Sequence, residues 1–493
     1  MDIEQFRRAG HEAIDRICEY YYTLQDRPVT ARVEPGYLRR ALPSEAPQTG
    51  ENFDLITQDY EKYIMPGLTL WHHPSFFAYF PTGSTFEAVL GDLYSGSVPN
   101  PGFNWSASPA STELETVVMD WAAKMLGLDS SFRNCANVGG GVIQTTASEA
   151  ALVAVVAARS RYTKQHPDVS SEKLLIYITT QTHSLGKKAG LVLGLNVRAL
   201  EVTVEDNFAL RGDTLRRALE DDCAAGLHPF ILIGTVGTTS SGAVDCLGEI
   251  GLVLEDYPFI WLHVDAAWAG IAMVCPEYRD VCALGDINKY GDSFCTNFHK
   301  WGLVNFDCSG FWVRDRASLI DALDVTPEFL RTKHGDAGTV IDYRNWHFGL
   351  GRKFRSLKLW FVLRSFGVEG FQRYIRETVK LGNMFASLIR ESTEFALVTP
   401  PSLALTVFRL EPRASPPVPL AKLNELNRVF YARVSARSDI AFTQTDLSGT
   451  FCVRMAVGAT RTSEDHVKHA YEILCLEGKA ALEEWQCATG EVQ

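Results

Sequence analysis

An α/β fold is predicted for the centre of this 493-residue chain by three features of its sequence. Five short, β-rich runs, "LLIYITT", "FILIGTVG", "FIWLHVD", "SFCTNF" and "SGFWVRD", recur between residues 174 and 315. The segments between them are long enough for helices or crossover loops, and continuous apolar strands suit a mainly parallel sheet buried on both faces. Helical patterns precede the runs, and a mixture of helices and strands follows them, which fits a smaller α+β domain behind the sheet.

The elements follow in order. Asp2 is placed to cap a helix over the first 25 residues, where Ile3, Phe6, Ile14, Ile17 and Tyr21 recur at helical spacing. A single amphipathic helix needs a surface to lie on. The next stretch, to Thr82, is rich in Pro, Gly and aromatics ("RPVTARVEPGYL", "HHPSFFAYFPTG") and reads as extended chain wrapping another surface. From residue 111, "STELETVVMDWAAKMLGL" combines a Ser/Thr-x-x-Glu start with a period near 3.6, which predicts a capped helix. A second helix, "TASEAALVAVVAARSRY", follows the glycines Gly139 to Gly141. Beyond the strand runs, an apolar helix begins near Ser356 ("SLKLWFVLRSFG"), and "ALTVFRL" and "FCVRMAVG" read as strands. The expected division is an N-terminal segment 1–83, a large domain 84–358 and a small domain 359–493.

Composition narrows the function classes. With 46% hydrophobic and 22% charged residues the chain has material for a large core. A net charge of -12 without Lys/Arg clusters argues against a nucleic-acid or anionic-membrane partner and for a small molecule. The start, "MDIEQFRRAGHEAIDRICEYYY", has no apolar signal core, and no apolar run is long enough to cross a bilayer. Eleven scattered cysteines without a C-x-x-C pair read as core residues of a protein in the reducing cytoplasm, and no metal site is expected.

Ligands of open α/β sheets gather at the carboxyl ends of the strands. The residues there are polar and specific: His183 after "LLIYITTQT", Thr239 and Asp245 in "TVGTTSSGAVD", Asp265 closing "FIWLHVD", and His299-Lys300 after "SFCTNF". "GGGVIQTTASEA" brings glycines, hydroxyls and free N–H groups to a helix N-terminus around Thr146 to Ser148, a way to hold phosphate. Singly each has a plain reading, since Asp265 could cap a helix, His183 could be a core histidine and Lys300 could lay its stem over apolar surface. Together they describe a pyridoxal phosphate site. A desolvated lysine becomes a neutral amine able to condense with an aldehyde, and an aspartate at the pyridine nitrogen keeps that nitrogen protonated.

The stretches "HPSFFAYFPTG", "TASEA", "HVDAAWAG", "NFHKWGLVNFDCSGFWV" and "IDYRNWHFGLGRKFRSLKLWFVLRSFGVEG" resemble, in order and spacing, the group II pyridoxal-phosphate decarboxylases of aromatic amino acids. The resemblance implies a type I, aspartate-aminotransferase-like fold with a mainly parallel seven-stranded large-domain sheet. It also implies an obligate homodimer, clasped by the N-terminal segment, that takes L-aromatic amino acids. Position by position, it makes Lys300 the imine-forming lysine, Asp265 the partner of the pyridine nitrogen and His183 the residue stacked on the ring. Ala147, Ser148, Asn297 and His299 match phosphate-binding positions, and Thr239 and Asp245 match cofactor-supporting ones. Trp71, Tyr79, Phe80, Pro81, Thr82 and Phe103 match an aromatic-lined substrate pocket, and Gly351 a position whose residue accompanies the choice between indole and phenol substrates.

Two positions depart from the family pattern. Phe298 replaces the usual proline before the His-Lys pair. Counted without gaps from Lys300, Phe329 in "TPEFL" stands where amine-forming members carry a tyrosine on a mobile loop that reaches the neighbouring subunit's site. That tyrosine would protonate Cα after carbon dioxide leaves, and phenylalanine has no proton to give. By resemblance, members with phenylalanine here are aromatic aldehyde synthases, in which dioxygen intervenes. The expectation is therefore an arylacetaldehyde with carbon dioxide, ammonia and hydrogen peroxide. The alternative is an ordinary decarboxylase giving tryptamine, tyramine or phenethylamine, with the proton from His183, a water, Lys333 or His334.

Overall fold

The computed structural model describes residues 1–413 and 417–489. Seven strands form the large sheet: β1 Gly140–Gln144, β2 Leu174–Thr179, β3 Asn196–Leu200, β4 His228–Thr235, β5 Trp261–Asp265, β6 Ser293–Asn297 and β7 Ser309–Val313. Their spatial order is β1-β7-β6-β5-β4-β2-β3. The neighbours from β3 through β6 pair in parallel, whereas β7 is antiparallel to both β6 and β1. All five strands that the apolar runs predicted are present. They are buried along their length apart from the first residue of β4, which is why both faces of each had to be apolar.

Two strands escape that pattern for physical reasons. β3 lies at the sheet edge with its first four residues exposed or partly exposed, so it has no continuous apolar run. β1 opens with glycines because its neighbours leave no room for side chains. A Cβ on Gly139 would stand 2.0 Å from the Ser131 carbonyl oxygen and 2.3 Å from that of Val313. The glycine triplet therefore serves strand packing, and the phosphate-type helix start lies beyond the strand, a correction to the reading of "GGGVIQTTASEA" as one cradle.

That helix, Ala147–Gln165, has Thr146 as N-cap, its side chain accepting from the Glu149 N–H. The helix before it, Pro109–Leu126, starts earlier than the Ser111 expectation, because Ser108 occupies the N-cap and Pro109 fits the first turn with its fixed φ and missing donor. Ser111 and Thr112 instead lie on its buried side. Glu115 of the same helix is 1% exposed and held bidentately by Arg352 at 2.6 and 2.8 Å, while it accepts from the Ile143 N–H. This pair ties edge strand β1 to the segment entering the long helix Arg355–Glu391. The long helix runs across the expected 358/359 boundary, and its one non-helical residue is Gly367, with φ 60°.

The small sheet is antiparallel, β8 Phe395–Leu397, β9 Leu405–Leu410, β10 Thr443–Leu447 and β11 Thr450–Ala456, in the order β10-β11-β9-β8. Helices Leu420–Ser435 and Glu464–Thr489 accompany it. The first helix, Ile3–Tyr22, carries the expected Asp2 cap as a full capping box with Gln5. Residues 26–82 are more helical than their Pro/Gly content suggests, with Tyr37–Ala41 and Phe53–Asp59 among them. The chain then meets the small domain, where the Phe77 N–H donates to the Ala441 carbonyl at 2.9 Å, and turns toward the large sheet.

Candidate active site

Chain ends of β1, β2, β4, β5 and β6 converge on one cavity of about 240 Å³. From β1 come Thr146, Ala147 and Ser148; from β2, His183; from β4, Gly237 and Thr239; from β5, Asp265; and from β6, Asn297, His299 and Lys300. A wider outer chamber of about 570 Å³ adjoins it, sharing Phe80, His183, Thr239, His299, Lys300 and Phe306, and is walled further by Trp71, Tyr79 and Thr82.

Lys300 follows β6 in the short helix Phe298–Trp301. The N-terminal segment closes over this turn: the Gly83 N–H donates to the Lys300 carbonyl at 3.2 Å and Thr85 Oγ1 to that of Leu303 at 2.9 Å. Phe80 stacks on Trp268 with centroids 4.4 Å apart, and Trp268 on Trp301 at the same separation, so the lysine stands beside a three-ring wall. Its Nζ lies 5.4 Å from the Phe80 centroid. Burial lowers the Lys300 pKa; Asp265 and Cys295 oppose the shift, and the Arg454 guanidinium reinforces it. Arg454 is itself 2% exposed and 5.1 Å from the Phe80 centroid, with its pKa lowered to about 10 by burial.

Asp265 accepts from the Ala267 N–H at 3.0 Å on Oδ1, and Oδ2 has no protein partner among the described residues. His183 Nδ1 accepts from the Leu185 N–H at 3.3 Å, which puts the proton of the neutral ring on Nε2. Its pKa is lowered, first by burial, with Asp265 opposing and Lys300 adding to the shift. His299 is held through Nδ1 on the backbone of Cys308, and burial takes its pKa down to about 4, so it is neutral.

The donor set suits a phosphorylated, ring-shaped carbonyl compound. The first-turn N–H groups of Ala147 and Ser148 have no partner among the described residues, and a helix N-terminus favours an anion. Thr235 Oγ1 and Asn297 Oδ1 line or border the cavity, buried and unpartnered, which is costly unless a ligand satisfies them. A lysine of lowered pKa meets an aspartate with a free oxygen across the same space.

Not every residue named from sequence lines these chambers. Asp245 sits behind the cavity, fully buried, accepting from the Leu210 and Thr235 N–H groups at 2.8 and 2.7 Å; burial raises its pKa to about 6. Pro81 is buried against Gly458 rather than facing the chamber. Phe103, Gly351 and Phe329 lie away from their own chain's cavity, and Phe329 is 80% exposed on the turn Glu328–Leu330. Conversely, Trp268, Phe306, Thr235 and Gly237 contribute walls that the sequence reading passed over. Trp268 and Phe306 stand inside the quoted stretches "HVDAAWAG" and "NFHKWGLVNFDCSGFWV", so their proximity to strand ends was the available signal.

Fold and cavity together define a type I enzyme built to hold a phosphorylated carbonyl cofactor. Comparison with known proteins narrows this. The pyridoxal-dependent decarboxylase conserved domain matches residues 35–411. Rat aromatic-L-amino-acid decarboxylase is 44% identical over 481 residues, covering 96% of this chain and 97% of that protein. Phenylacetaldehyde synthase of Arabidopsis thaliana is 45% identical over 477 residues, covering 96% of each. The crystal structure of Oryza sativa TDC with PLP and tryptamine superimposes with a TM-score of 0.93 at 36% identity, covering 97% of this chain and 99% of that one. The chain belongs to the group II pyridoxal-phosphate-dependent decarboxylases of aromatic amino acids, and its cofactor is pyridoxal 5'-phosphate.

Proposed function

We propose that this enzyme works in the cytoplasm as a homodimer on L-aromatic amino acids and, because Phe329 occupies the protonating position, releases the arylacetaldehyde. The carrying observation is Phe329 itself: a hydrocarbon ring, 80% exposed and open to a second subunit. Phe103 and Gly351, also remote from their own cavity, join the substrate pocket in the same way, from the partner subunit.

Bound pyridoxal phosphate supplies an aldehyde and a protonated ring into which the electron pair freed by loss of carbon dioxide spreads. Lys300, with its lowered pKa, offers a neutral amine to that aldehyde. Asp265 holds the proton at the pyridine nitrogen, and His183 covers the ring face. Ala147, Ser148, Asn297 and His299 take the phosphate; Thr239 borders it, and Asp245 fixes the backbone of Thr235 from behind. Trp71 and Tyr79, stacked 5.0 Å apart, pack the substrate's ring with Phe80 and Thr82, and Pro81 shapes the turn between them.

Amine release needs one proton delivered to Cα. With no acid at residue 329, dioxygen takes two electrons and two protons to leave as hydrogen peroxide, and water supplies the aldehyde oxygen. Amino acid, dioxygen and water then balance aldehyde, carbon dioxide, ammonia and peroxide.

The test is a product balance in air with L-phenylalanine, L-tyrosine and L-tryptophan in turn. Aldehyde and peroxide equal to carbon dioxide are expected. Amine equal to carbon dioxide, without peroxide, would replace this reading with a simple decarboxylase using His183, Lys333, His334 or water as the acid.

A further inference from the structure

Four buried polar side chains stand behind Asp265 without a part in the scheme above. Residues 261, 263 and 265 alternate onto one face of β5, and the parallel register sets His263 beside Ser293 and Asp265 beside Cys295 of β6. Trp261, His263, Ser293 and Cys295 are at most 1% exposed. Trp261 Nε1 is 2.8 Å from Ser293 Oγ, which is 2.8 Å from His263 Nδ1. His263 Nε2 is 3.8 Å from Cys295 Sγ, and that sulfur is 3.8 Å from Asp265 Oδ1.

The chemistry of these groups sets one direction. An indole N–H only donates, so the Ser293 oxygen accepts from Trp261. The hydroxyl proton of Ser293 has one other partner among the described residues, His263 Nδ1, and left unpaired it would be a buried donor without an acceptor. Nδ1 is then an acceptor, and the neutral ring carries its proton on Nε2, aimed at sulfur. Burial supports the neutral ring, since it takes the His263 pKa down to about 3. Burial likewise pushes the Cys295 thiol well above its usual range, so the sulfur keeps its proton. A carboxylate only accepts, and the thiol proton therefore goes to Asp265.

The geometry points to a one-way donor chain, Trp261 to Ser293 to His263 to Cys295, that ends on Asp265 Oδ1 and orients this carboxylate with Oδ2 left for the cavity. It rests on reading Asp265 as the partner of the pyridine nitrogen. Each of the four is a positioning residue, reaching the cofactor only through Asp265. Every donor dipole in the row points toward the carboxylate, so the links reinforce one another. The sequence signature is Trp-x-His-x-Asp on one strand against Ser-x-Cys on the next.

Two measurements on the cofactor-free protein test the direction: nitrogen NMR of His263 in the wild type, and the infrared S–H stretch of Cys295 in the wild type and in Asp265→Ala. The expected results are a proton on Nε2 and a stretch lowered by hydrogen bonding that rises in Asp265→Ala. A proton on Nδ1, or a stretch indifferent to Asp265→Ala, would overturn the chain. The functional arm compares Cys295→Ala with Asp265→Ala in cofactor affinity, by titrating the cofactor-free protein with pyridoxal phosphate, and in kcat against KM. Loss of one hydrogen bond to a charged group predicts about tenfold weaker cofactor binding and a comparable fall in kcat with KM retained. If Cys295→Ala matches the wild type while Asp265→Ala loses both, the donor chain is refuted and the role of Asp265 stands. If Asp265→Ala also matches the wild type, the reading of Asp265 falls and the chain falls with it.

Discussion

Lys300, between a histidine and a tryptophan, is an amine whose surroundings make it reluctant to stay charged. The ring wall of Phe80, Trp268 and Trp301 removes water from one side, and Arg454 adds a second cation nearby. In the proposed function, Phe329 is the residue on which the product turns. Phe329→Tyr is expected to raise the amine share and cut peroxide in step, read as amine and peroxide per carbon dioxide from one substrate. Equal ratios in mutant and wild type would place the Cα proton elsewhere. The position was legible by counting from Lys300; the exposure of its side chain was not, because a turn's facing depends on its packing.

Elements explain what residues cannot. Helix Ile3–Tyr22 buries none of its side chains within its own chain, leaving Ile3 and Phe6 more than half exposed and Ile14 at 40%. Its later half is tied down by Arg16 to Glu61 at 2.8 Å and by Tyr20 to His72 at 3.0 Å, so its start projects as an apolar stripe. Such a stripe is stable when a second surface covers it. The proposed dimer supplies that surface. Sedimentation at micromolar concentration should give twice the 54.8 kDa chain mass for the wild type and a shift toward one chain for Phe6→Glu with Ile14→Glu. A wild type sedimenting at one chain mass would remove the homodimer from the proposal. The helix itself could be read from Asp2 and the apolar spacing, whereas the helices within 26–82 could not, since their Pro and Gly punctuation outweighed short local periodicity.

At the scale of the whole molecule, buried neutral histidines set the response to acid. Burial takes His263 and His347 to about 3 and His299 and His72 to about 4, from an ordinary 6.5. Unfolded, these rings bind protons near 6.5; folded, they do not until about 3 to 4. Their contribution is complete above 6.5 and drains as the pH falls through that window, at roughly 1.4 kcal/mol per pH unit for each ring. Asp245, raised to about 6, runs the other way: its contribution is full below 3.8 and is lost as the pH rises through 6. One carboxyl against four rings leaves a net loss on acidification. The thermal midpoint of the cofactor-free protein should fall between pH 7 and pH 5; an unchanged midpoint would mean the buried rings keep their proton affinity in the fold. Among the described residues no helix is long and apolar enough to cross a membrane, and all eleven cysteines are unpaired.

Local chemistry was open to the sequence alone. Five buried strands announced themselves as apolar runs, Asp2 as a cap, Thr146 to Ser148 as a helix start, and Lys300, Asp265 and His183 as polar residues ending apolar strands, because each signal lies within a few residues. Tertiary structure alone decided which of these share a cavity: Asp245 went behind it, Pro81 beside it, and Phe103, Gly351 and Phe329 away from it. It also reassigned the glycine triplet to strand packing and set Asp265 against Cys295, 30 residues on, through the register of β5 and β6. Register and close approach join residues distant along the chain, and no local period encodes which of them will meet.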